Sequence, residues 1–104
     1  MRIIVLFNLK PGVDPATYEA WARSADIPTV RGLPSIARFD VAAATGLLMG
    51  EGQSPYAYIE VIDVADMARF GADIATDQMK AISQAFQTFA DKPVFIATRD
   101  VAAS

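Results

Sequence analysis

Glu60 sits inside an apolar run, Tyr56 to Asp63, where Tyr58, Glu60 and Ile62 alternate with Ala57, Ile59 and Val61. A carboxyl on the covered face of a strand is costly unless it is paired or used. Used, Glu60 is an acid or base whose pKa burial raises. Tyr58, two residues earlier on the same face, would donate a hydrogen bond to a developing enolate or carbonyl oxygen. Asn8 on the first strand is expected to share that face, with Tyr18 and Trp21 roofing a substrate pocket. Paired, Glu60 instead meets Arg38 across an adjacent strand, which is the simpler account.

Asp26 and Arg31 flank a proline-bearing segment that would form the pocket mouth. There Asp26 would accept a proton and Arg31 would hold a substrate carboxylate or carbonyl. A helix-end turn with solvated charges explains them equally well. Arg38 is a further substrate-binding candidate. However, Arg38 and Asp40 alternate with Phe39 and Val41, so one wet strand face accounts for them without chemistry. Trp21 could stack on an aromatic substrate, although a core role is commoner for such a residue.

The missing residue types narrow the chemistry. The 104 residues include no cysteine and no histidine. That excludes thiolate nucleophiles, Ser-His-Asp catalysis, histidine-ligated haem and most zinc sites. Proton transfer must come from Asp, Glu, Tyr, Lys or water. No phosphate loop, nucleophile elbow or dinucleotide fingerprint is present, so no cofactor or metal is expected. The net charge of −3 and scattered basic residues argue against nucleic acid.

The chain's length suits one domain, residues 1–104. Hydrophobic residues make up 53% and charged residues 20%, more apolar material than one small core absorbs. The opening run Arg2 to Phe7 is too short for a signal peptide, and no apolar stretch reaches the ~18 residues of a membrane span. A cytoplasmic protein without membrane contact is expected.

The elements that must position these residues can be read in order. Arg2 to Leu9 is a strand closed by Lys10-Pro11-Gly12. Asp14 caps a helix with Pro15 in its first position and Val13 and Tyr18 as a hydrophobic staple. That helix fades near Asp26, because Pro28 disfavours helical geometry at Ile27. Ile27 to Pro34 links to a strand, Ser35 to Val41. Ala42 to Met49 extends that strand or bends away, and Gly50 to Pro55 is a loop. Tyr56 to Asp63 is the third strand.

Asp63 or Asp66 caps a second helical region, which breaks over Gly71 to Asp77 with Thr76 as a new cap. Met79, Ile82, Phe86 and Phe89 keep helical spacing, and Lys92-Pro93 ends the helix. Val94 to Thr98 is the last strand, and Asp100 to Ser104 frays. The order β-α-β-β-α-β on ~100 residues predicts an α+β, ferredoxin-like fold with one four-stranded antiparallel sheet. Both sheet faces are largely apolar, whereas helices can cover only one. A homodimer packed sheet to sheet is therefore expected.

This arrangement resembles the dimeric α+β barrel superfamily. Leu6-Phe7-Asn8-Leu9-Lys10-Pro11-Gly12-Val13-Asp14 and Tyr18-Glu19-Ala20-Trp21-Ala22 resemble the REDY-like family. So do Asp26 to Ser35, Tyr58 to Ile62, and Phe86 to Asp91. Members of that family are associated with prodiginine-type pigment pathways. The resemblance implies a cofactor-free enzyme of secondary metabolism acting on a small heteroaromatic or β-keto precursor, assisting cyclisation with loss of water. Two rivals stay open: a cofactor-free oxygenase of the dimeric barrel type, and a non-catalytic dimeric carrier of a biosynthetic intermediate.

Overall fold

The computed structural model describes residues 1–102, so the expected fraying of 100–104 falls partly outside the described residues. Four strands, β1 Arg2–Leu9, β2 Ile36–Ala43, β3 Tyr58–Val64 and β4 Ala90–Ala97, form one sheet in the order β2-β3-β1-β4. Every neighbouring pair is antiparallel. The fold is the expected α+β, ferredoxin-like one. No helix among the described residues is long and apolar enough to cross a membrane.

The helices lie on one face. They are α1 Pro15–Trp21, a π-helical stretch Ala22–Asp26, α2 Ile27–Arg31, α3 Met67–Ile74 and α4 Asp77–Phe89. Asp14, Asp66 and Thr76 cap α1, α3 and α4 by accepting from backbone N–H groups of Ala16, Arg69 and Met79. Tyr18 and Ala22 pack with Val5, Phe7, Tyr58 and Ala90 in the core, flanked by Phe86 and Phe89 from α4. The Phe7 ring stacks on Tyr58 at 5.4 Å and meets Tyr18 edge-on at 5.7 Å. Such aromatic geometry adds to the area each ring buries.

Several expectations need correction. The first helical region does not fade at Asp26 but runs to Arg31, straight through Pro28. Proline lacks an N–H and its ring crowds the carbonyl four residues back, and a wider π turn relieves both problems. The Ile27 N–H accordingly donates to the Ala22 carbonyl, five residues back. The second break is also narrower than expected, because α3 continues through Gly71 to Ile74.

Lys92-Pro93 does not end the last helix. α4 stops at Phe89, and both residues lie within β4. β4 is an outer strand, where proline is tolerated, and a bulge there absorbs it. Leu6 pairs with Val94 but Asn8 pairs with Asp91, and Lys92 takes φ +44° in between.

Register decides the faces. Val5 pairs with Glu60 and Phe7 with Tyr58, so Glu60 and Tyr58 share the helix-covered side with the odd-numbered residues of β1. Ile4, Leu6, Ile59, Val61, Val94 and Ile96 share the opposite side. Asn8 belongs there too, and not with Glu60 as expected. A one-residue change in register turns a side chain from one face to the other.

Candidate active site

Glu60 is set on β3 between Val5 of β1 and Val41 of β2, and it is 5% exposed. Asp26, the last residue of the π stretch, is 4% exposed. Tyr18, Ala22, Asp26 and Val30 are all buried, at spacings of four. In a regular α-helix residues four apart drift by about 40° per step, which would swing Asp26 and Val30 off the sheet-facing stripe. The wider π turn corrects that drift and holds both against the sheet.

Asp26 and Glu60 line one cavity of about 140 Å³. Its other walls are overwhelmingly apolar, including Phe39, Phe70, Ile82 and Phe86, with no Lys or Arg among them. Asp26 Oδ2 and Glu60 Oε2 are buried and have no hydrogen-bond partner. Burial, reinforced by the charge of Asp26, pushes the Glu60 carboxyl up to about 8. Burial alone pushes Asp26 up to about 6. The Tyr18 hydroxyl is also buried without a partner, and burial followed by the charges of Glu60 and Asp26 raises its pKa.

Two carboxyls whose environments push their pKa values apart take opposite roles near neutrality. Glu60 keeps its proton and can donate it, while Asp26 is mostly ionised and can accept one. The expected Glu60–Arg38 pair does not form. Arg38 and Arg31 both bond Asp40, Arg31 at 3.1 Å, and Arg31 Nε also donates to the Phe39 carbonyl at 2.9 Å. These exposed contacts hold Asp40 below the usual carboxylate range, the Arg38 hydrogen bond foremost. Neither arginine lines the cavity.

The remaining candidates lie elsewhere. The Tyr58 hydroxyl donates to Glu19 Oε2 at 2.7 Å, in a neighbouring pocket also lined by Tyr18 and Arg23. Burial, then that bond, pushes Tyr58 up to about 12. Trp21 is half-buried against Phe89, with centroids 5.2 Å apart, and packs as a core residue. Asn8 ties down the β2–β3 connection: its Nδ2 donates to the Pro55 carbonyl at 3.1 Å, and its Oδ1 accepts from Ala57 N–H at 2.8 Å.

Sequence reasoning missed Glu19 as the acceptor for Tyr58, and Ser83 as a wall of the cavity. The spacing Met79, Ile82, Ser83, Phe86 describes one helix face interrupted by a single polar residue, which was the available signal. Among the described residues no group of three or more Asp or Glu side chains could hold a metal ion.

The chain matches the REDY-like protein HapK family over residues 1–101. The crystal structure of HapK from Hahella chejuensis is 30% identical, with all of this chain and 98% of that one covered and a TM-score of 0.71. A dimeric ferredoxin-like protein of unknown function from Thermobifida fusca shares 21% identity over 91% of this chain and 85% of its own, with a TM-score of 0.71. SnoaB, a cofactor-independent oxygenase from Streptomyces nogalater, shares 15% identity over 99% and 96%, with a TM-score of 0.67. These last two likenesses speak to the fold alone. No protein of curated function matches the sequence significantly.

Proposed function

The chain belongs to the REDY-like protein HapK family, and from that premise we propose a cofactor-independent acid–base enzyme of secondary metabolism. It acts as a cytoplasmic, single-domain homodimer on a small pyrrole- or polyketide-like intermediate, and it assists cyclisation with loss of water. The observation that carries this reading is the pair of unpartnered carboxyl oxygens, Asp26 Oδ2 and Glu60 Oε2, in one apolar cavity.

The chemistry follows from the two protonation states. Asp26 takes a proton from the attacking group or from the carbon next to a carbonyl. Glu60 gives its proton to the carbonyl oxygen, or to the hydroxyl that departs as water. The step leaves Asp26 protonated and Glu60 ionised, and one proton passing from Asp26 to Glu60 restores the starting state. Holding the substrate between the two groups in a largely apolar cavity supplies the rest of the acceleration.

The test is a panel of pyrrole and indole β-keto precursors, a β-keto acid and an electron-rich phenol, without added cofactor. Products are read by mass spectrometry with an oxygen electrode in parallel. Loss of water that falls in Glu60→Gln and Asp26→Asn is the expected result. Oxygen uptake would instead establish the oxygenase, and tight binding with unchanged ligand would establish the carrier.

A further inference from the structure

The cavity at Asp26 and Glu60 does not end at its own walls. Ile62, Phe70, Ile74, Met79, Ser83 and Phe95 line it and also line a second cavity of about 500 Å³. The two are one groove, running from the buried carboxyls outward between α3, α4 and β4. The outer part alone lies within the ~300–1,000 Å³ usual for small-molecule sites. Phe95 is 62% exposed and Ile74 44%, so the groove leaves large apolar side chains open to solvent. Exposed apolar surface of this kind marks a binding groove or an interface. A groove that ends on two unpartnered carboxyl oxygens has a use for a small molecule and none for a flat protein surface.

Charge is distributed unevenly along it. No cation lines the inner part, and Lys80 is the one cationic side chain lining the outer part among the described residues. A carboxylate seated at the inner end would face Asp26 in an apolar surrounding with nothing to neutralise it.

We infer that the substrate is an amphiphile, with an uncharged carbonyl head at Asp26 and Glu60 and an extended apolar body lying along this groove. The inference rests on the acid–base reading of that pair and adds the class of molecule it serves. Chain length sets affinity, and the head is selected against negative charge.

Calorimetric titration at neutral pH with 2-butanone, 2-hexanone, 2-octanone and 2-decanone tests it. Affinity is expected to rise about fourfold per methylene until the groove is filled. Decanoate should bind at least about tenfold more weakly than 2-decanone, and Asp26→Asn should narrow that gap. Ser83 lines both parts and is exposed on α4, so Ser83→Phe closes the passage without altering the core. That variant should lose more affinity for 2-decanone than for 2-butanone.

A flat length series, no binding by any ketone, or decanoate matching 2-decanone would overturn the inference. Failure of the acid–base reading has a different signature: turnover on the substrate panel that is unchanged in Glu60→Gln and Asp26→Asn, whatever the length series shows.

Discussion

At Glu60 and Asp26, burial sets both the roles and the pH range in which they hold. Activity should follow a bell, falling below about pH 6 as Asp26 gains a proton and above about pH 8 as Glu60 loses its own. Glu60→Gln and Asp26→Asn should each lower turnover about a hundredfold or more, measured on the dehydrated product. The same shifts act on stability. Both carboxyls hold their protons more tightly folded than unfolded. Their favourable contribution is complete below the ordinary carboxylate range and is lost as pH rises through about 6 for Asp26 and about 8 for Glu60. Glu60→Gln should therefore be more stable than wild type at about pH 9, by about 2–4 kcal/mol in urea unfolding, and closely matched at about pH 5.

Among the elements, the π turn has the largest consequence for the site. Asp26 is its last residue, and Pro28 follows in the first turn of α2. In Pro28→Ala the segment regains a donor and can relax to a regular α-helix, which carries Asp26 away from the sheet-facing stripe. Turnover is expected to fall at least about tenfold with little change in melting temperature. The acid limb of the pH profile should also move toward the ordinary carboxylate range as Asp26 meets solvent, an effect that loss of packing alone would not produce.

Local pattern explains how far the sequence could be read. Strand alternation and the Asp14, Asp66 and Thr76 caps are short-range signals, and they gave the element order. The helical path through Pro28 was illegible, because a proline rule that holds locally was overridden by the burial of Asp26 and Val30. Asn8 was misplaced for a related reason: pairing register is set across strands some fifty residues apart in the chain, and alternation within one strand carries no trace of it. Asp26 and Glu60 were both legible as candidates. Their meeting in one cavity was not, since it depends on the π turn.

For the whole molecule, the sheet face opposite the helices is the apolar surface that the helices leave uncovered. Ile4, Leu6, Ile59 and Val61 lie on it at intermediate burial, and Val94 and Ile96 are each 39% exposed. Burying that face against a second copy is the arrangement proposed for the dimer. Ile96→Glu lies on the outer strand, where the single chain tolerates a polar side chain. Light scattering of the separated protein should show it shifted to the mass of one chain, with far-ultraviolet circular dichroism unchanged.

The bulge at Lys92-Pro93 bears on what such association does not become. An outer strand with an unbroken row of amides is a template for strand addition, and copies joined that way grow into filaments without limit. β4 has no amide hydrogen at Pro93, and its path bends at Lys92. A continuous ladder along that rim is blocked. Open-ended growth by strand addition along that edge is thereby disfavoured.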